Sequence, residues 1–177
     1  MELKNDKERL FLEMIDIYKS VIAKVCCVYA SPTAEFDDLY QETVINLWTG
    51  FDKFRGEAKI STWIYRAAIN TCITWVRRNK KHSSNVALDS ELPVIAEDSN
   101  KLADYKRLHA IISQLLPLEK AIVTLWLDEK SYDEIADITG LTKNNVAVKL
   151  HRIKDKMSKM KDLYTPLNKY LDYDRFR

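Results

Sequence analysis

Glycine and proline are scarce, three and four among 177 residues. So little punctuation, with no sustained two-residue alternation of apolar and polar side chains, excludes a strand-and-turn architecture and predicts an all-α fold. Cysteine is equally sparse. Cys26 and Cys27 are adjacent and Cys72 stands alone, which leaves neither a CxxC metal pair nor a disulfide framework and predicts buried, reduced thiols. The histidines His82, His109 and His151 are dispersed, and no grouping of nucleophile, base and metal ligands supports an enzyme or calls for a cofactor. No apolar run approaches the roughly 18 residues of a membrane span. The opening MELKNDKERL is charged where a signal peptide turns apolar, so a cytoplasmic protein without membrane insertion is expected.

What is present is a soluble, globular composition, 46% hydrophobic and 31% charged, long enough for one domain or two small ones. The formal net charge is only +2, but its distribution is blocked. Residues 55–82 carry seven bases against one acid, residues 83–104 one base against five acids, and residues 142–161 seven bases against one acid. Two basic blocks flank an acidic one, a pattern that points to nucleic acid where net charge does not.

Helical periodicity organises the first block. Phe11, Met14, Ile15, Tyr18, Ile22, Val25 and Tyr29 predict a helix over 4–29 that Ser31-Pro32 ends. A second, over about 36–50, buries Phe36, Leu39, Tyr40, Thr43, Val44 and Leu47 and leaves Asp38, Glu42, Ile45 and Thr49 on its other side. An isoleucine among acids either marks a protein partner or is a lone surface apolar residue. The connector FDKFRGEAKIS places Gly56 where the backbone needs freedom. The stretch 62–81, TWIYRAAINTCITWVRRNKK, together with Ile60 just before it, then places Ile60, Ile64, Ala67, Ala68, Thr71 and Trp75 on one wide apolar face. Opposite, Arg66, Asn70, Thr74, Arg77 and Lys81 form a single row, more ordered than scattered solvation charges require.

From 83 to about 101 the chain loses its period and is rich in small polar residues and acids, which reads as a flexible linker of roughly 65 Å at full extension. The domains expected are 1–82, the acidic linker 83–101, a second helical domain 102–162, and a tail 163–177 that stays unassigned. In the second domain Ser131 and Glu134 have the spacing of a capping box. That helix runs through Ile135 and Ala136 to Thr139-Gly140, and Thr142 caps another with Val146, Leu150, Ile153 and Met157 on one face. This is a helix-turn-helix pattern. Opposite the apolar face lie Asn144, Ala147, Val148, His151 and Arg152, with Lys143 and Asn145 near the helix start, where such motifs meet base edges. Amide, methyl and guanidinium groups suit adenine, thymine methyl and guanine. The same caps and periods also occur in helical bundles that bind no DNA.

DDLYQETVINLW with FDKFRGEAKISTWIYRAAINTCITWVRR resembles region two of bacterial sigma factors of the extracytoplasmic-function group. LLPLEKAIVTLWLDEKSYDEIADITGLTKNNVAVKLHRIK resembles their region four. The resemblance covers roughly residues 8–160, and both halves in this order are more specific than either alone. It implies a promoter-recognition subunit whose partners are core RNA polymerase, promoter DNA and an anti-sigma factor, with polymerase supplying the nucleotidyl transfer and its magnesium.

Residue by residue, the resemblance assigns Asp38, Gln41 and Glu42, with Ile45, to the clamp of the largest polymerase subunits. Arg66, Asn70, Arg77 and Lys81 would face the minus-ten element, and Phe54 and Arg55 would capture an extruded nucleotide. Phe51 and Phe54 could equally staple the connector to the bundle. Trp75 points to the core by phase, and Trp63, at the edge of that face, either packs or touches DNA. Lys143, Asn144, Val148 and Arg152 would enter the major groove of the minus-thirty-five element, in a strip that also holds Asn145 and His151, while Lys149 and Lys154 hold phosphates. Many relatives carry a base at the position of Ala147, so the promoter sequence does not transfer. The linker either mimics RNA in the exit path or is a soluble tether. A stand-alone helix-turn-helix regulator is the competing function, and a helical adaptor without DNA contact is a third.

Overall fold

Phe11, Met14, Ile22, Val25 and Tyr29 recur at helical intervals and are all buried, and the helix that carries them, α1, spans Glu2–Tyr29. A computed structural model describes residues 2–30, 33–79 and 99–161. Among the described residues every regular element is an α-helix, as the scarcity of glycine and proline predicts. The chain divides into two units, one built on α1 and the next two helices, the other on the later helices. Ser31-Pro32, Lys80, Lys81, His82, most of the predicted linker and the tail from 162 lie outside the described residues.

In the first unit α2 spans Thr33–Phe51 and α3 Ile60–Asn79, and all three helices pack pairwise. Leu39, Thr43 and Leu47 of α2 are fully buried. Thr43 sits in the core without penalty because its hydroxyl donates to the Leu39 carbonyl at 2.8 Å. On α3 the buried residues are Ile64, Tyr65, Ala68, Ile69, Thr71 and Cys72. The buried face is therefore rotated toward Tyr65, Ile69 and Cys72, and Ile60, Ala67 and Trp75 are only half-buried. Trp75, expected to point to the core, is partly buried, with the Arg78 guanidinium 5.9 Å from its ring centroid.

The three thiols are unbridged, Cys26 and Cys72 buried and Cys27 half-buried. A hydrogen bond with Cys26, and then burial, hold the Cys72 thiol well above its ordinary range, so it is protonated and inert.

Four helices follow: α4 Ser99–Ser113, α5 Pro117–Leu127, α6 Tyr132–Thr139 and α7 Lys143–Lys161. Helix α4 opens two residues before the predicted end of the linker. Pro117 opens α5 at a position where its missing N–H costs nothing, and Glu119 accepts the Leu116 N–H at 2.9 Å. The capping box of α6 is formed in both directions: Glu134 N–H donates to Ser131 Oγ at 3.2 Å, and Ser131 N–H to Glu134 Oε2 at 3.0 Å. Gly140 ends α6 at φ +73°, a left-handed conformation that side chains resist. Thr142 Oγ1 then accepts the Asn145 N–H at 3.3 Å. Val146, Leu150, Ile153 and Met157 of α7 are buried as their spacing predicts, against α4 and α5.

Candidate nucleic-acid interface

The connector between α2 and α3 is shaped by packing on both sides. Lys7 Nζ reaches Asp52 at 2.6 Å and lies 4.2 Å above the Trp48 ring, which fixes the end of α2. Phe11 meets Trp48 and Phe51 edge-on at 4.9 and 5.4 Å between centroids. Phe51 thus belongs to the bundle. Phe54 is placed differently: the chain turns through hydrogen bonds from Lys53 N–H to Gly50 O and from Phe54 N–H to Phe51 O, and the Phe54 ring comes to rest 5.2 Å from Trp63. Gly56, at φ +72°, carries the chain through a left-handed bend.

The result is a cavity of about 350 Å³ lined by Lys53, Phe54, Arg55, Glu57, Ala58, Trp63 and Arg66. Two aromatic rings form a wall and three cations line the same space. Flat, neutral surfaces backed by guanidinium groups suit a nucleotide base with its phosphate. Trp63 both packs, on Phe51 and Phe54, and lines this space.

Arg66, Asn70, Thr74 and Arg77 are all exposed on α3, so the predicted row exists as a surface strip; its last member, Lys81, lies outside the described residues. Along α2, Asp38 and Gln41 are exposed and Ile45 is 61% exposed. Glu42 is not freely presented. Its side chain is 28% exposed and accepts a hydrogen bond from the Arg78 guanidinium, a partner the spacing along α2 could not reveal, because it comes from α3.

In α7, Lys143, Asn144, Asn145, Val148, Lys149, His151 and Arg152 are exposed together, and Ala147 is half-buried among them. Lys143 Nζ pairs with Asp133 of α6 at 2.8 Å, and His151 Nε2 lies 3.7 Å from Asp155. Lys154 is the exception and a correction. It is 8% exposed, with Nζ 4.1 Å above the Trp126 ring, and burial lowers its pKa; a side chain so placed is no phosphate ligand. The signal was available in the sequence, because Lys154 stands four residues after Leu150 and three before Met157, within the apolar row.

Among the described residues no group of three or more His, Cys, Asp or Glu could hold a metal ion, and no helix is long and apolar enough to cross a membrane.

Residues 14–82 match the family model for sigma-70 region 2, and residues 105–157 that for sigma-70 region 4. The chain is 28% identical over 182 residues to the ECF RNA polymerase sigma factor SigW of Bacillus subtilis (strain 168), covering 92% of this chain and 95% of that protein. It is 30% identical over 129 residues to the RNA polymerase sigma factor YlaC of the same organism, covering 69% and 75%. Among solved structures, the sigma factor RpoE bound to the anti-sigma factor NepR from Bartonella quintana shares the fold, with a TM-score of 0.68 at 16% identity over 93% of this chain and 98% of that one. With both regions in one chain and relatives matched over most of their length, the protein belongs to the extracytoplasmic-function group of the sigma-70 family.

Proposed function

We propose that this sigma factor divides its work among three surfaces. The protein binds core RNA polymerase and directs promoter-specific initiation, recognising minus-thirty-five and minus-ten elements and assisting melting. The outer edge of α2, with Asp38, Gln41, Glu42 and Ile45, grips polymerase. The α3 strip of Arg66, Asn70 and Arg77, continued by Lys81, lies along the minus-ten element, where phosphate contacts position the duplex and Asn70 reaches a base. Phe54, Arg55 and Trp63 receive a nucleotide extruded on melting, whose lost stacking, a few kcal/mol, is offset by stacking in the cavity. In α7, Lys143, Asn144, Asn145, Val148, His151 and Arg152 read the minus-thirty-five major groove and Lys149 holds a phosphate.

The observation that carries this reading is the cavity, an aromatic-walled space rimmed by cations at the end of the α3 strip. A regulator that only docks on duplex DNA has no use for it. Recognition is this chain's share, polymerase performs the chemistry, and both act in the cytoplasm. The RpoE structure was solved with an anti-sigma factor, which supports an anti-sigma partner for this chain too.

The polymerase surface is tested by pull-down with core polymerase. Charge reversal at Glu42 would place two cations together at Arg78 and disturb the α2–α3 packing, so Asp38→Lys and Ile45→Asp are the cleaner variants. Both should lose polymerase while keeping wild-type helical circular dichroism. Retained binding by both refutes the assignment.

A further inference from the structure

We propose that Arg78 is a further promoter-DNA contact, a phosphate-binding guanidinium that Glu42 neutralises in the free chain and releases when polymerase engages Glu42. The inference rests on the assignment of α2 to polymerase and α3 to DNA.

Arg78 follows Arg77 in the last turn of α3, where a cation also meets the negative end of the helix. Its phase places it between the exposed row of Arg66, Asn70, Thr74 and Arg77 and the helix α2. The side chain is 55% exposed. The Trp75 ring, 5.9 Å away, supports the guanidinium, and a supported planar fork keeps donors at its edge to receive an oxyanion. In the free chain one of those donors is held by Glu42.

The pair therefore joins the two binding surfaces through one bond, and neither is complete while that bond stands. Glu42 cannot offer its full carboxylate to a basic group on polymerase, and Arg78 contributes little positive potential to the α3 strip. A partly exposed ion pair is weak enough to exchange. Polymerase that takes Glu42 leaves Arg78 uncompensated beside the DNA strip, and a phosphate that takes Arg78 frees Glu42. Each ligand then raises the affinity for the other by the same factor, as linkage requires. The free sigma factor is kept from binding DNA at large, while the holoenzyme gains one phosphate contact.

The test is fluorescence anisotropy of a labelled duplex of unrelated sequence with the free full-length chain, titrated across salt. Glu42→Gln should bind about fivefold tighter at low salt, with a log K against log salt slope steeper by about one. The same change in an Arg78→Gln background should give no gain. Asp37→Asn, which removes an equal charge from an exposed position on the same helix, should change affinity less than twofold. No gain from Glu42→Gln, an equal gain in both backgrounds, or an equal gain from Asp37→Asn overturns the proposal. As a second arm that leaves Glu42 intact, Arg78→Gln holoenzyme should lose about one unit of slope on promoter DNA; an unaltered slope overturns it as well. The free-chain arm contains no polymerase, so its failure is distinct from a failure of the Asp38 and Ile45 pull-down.

Discussion

Lys154 Nζ lies 4.1 Å above the ring of Trp126, and this contact turns a lysine of α7 inward while Lys149, five residues earlier, stays exposed. The two should separate cleanly in a salt titration of holoenzyme on its promoter. Lys149→Ala should reduce the slope of log K against log salt by about one. Lys154→Met should leave that slope alone. Lys154→Ala, which removes both the buried stem and the cation over the ring, should instead destabilise the second unit by about 1–2 kcal/mol in thermal or chemical unfolding.

Glu119 ties the start of α5 to α7 by accepting from the Leu116 N–H and from Lys156 Nζ, each at 2.9 Å. Burial alone would raise its pKa, but the Leu116 amide and the Lys156 ammonium outweigh it and hold the carboxyl below the ordinary 4.5. A carboxyl with a depressed folded pKa contributes stability that is complete above its unfolded value and is lost as the pH falls through the folded one. Unfolding free energy measured from pH 7 down to 3 should therefore decline below about 4.5 more steeply in the wild type than in Glu119→Gln, and the two curves should converge at the acid end.

Phe54 and Arg55 differ from Phe51 in what they touch, and melting should expose the difference. Phe54→Ala and Arg55→Ala holoenzymes should bind duplex promoter nearly as the wild type does, yet show weaker permanganate reactivity at the melted thymines. Loss of one stacking partner is worth about 1–3 kcal/mol of the opening equilibrium. Normal reactivity in both variants would return Phe54 to a packing role and leave the cavity without a ligand.

The helix termini and the exposed polar faces of α3 and α7 were legible because local chemistry and helical phase decide them. Ser131, Glu134, Gly140 and Thr142 announce the turn between α6 and α7 by hydroxyl, carboxylate and missing Cβ, and the structure forms those bonds. Gly56 is equally explicit. The stop of α5 was silent, because Glu129 takes the left-handed conformation at φ +58° and no glycine marks the place. The core face of α3 was legible only in part. Its predicted face, Ile60, Ile64, Ala67, Ala68, Thr71 and Trp75, overlaps a second apolar row through Tyr65, Ile69 and Cys72, and periodicity alone cannot choose between them. Packing against both α1 and α2 buries Ile64, Ala68 and Thr71 of the first row together with the second, leaves Ile60, Ala67 and Trp75 half-buried, and brings Arg78 to Glu42. That pair, like Lys143 with Asp133, joins residues from different helices, and a one-dimensional pattern does not contain such meetings.

The most direct measurement is run-off transcription by purified core polymerase on a randomised promoter library, with and without this chain. The account predicts that core alone starts without preference, and that the chain confines starts to a fixed distance downstream of a paired minus-thirty-five and minus-ten sequence. Arg152→Ala should relax preference only at the upstream element and Asn70→Ala only at the downstream one, each by about 1–3 kcal/mol of discrimination. Starts that stay unselective with the wild-type chain bound to polymerase would contradict it.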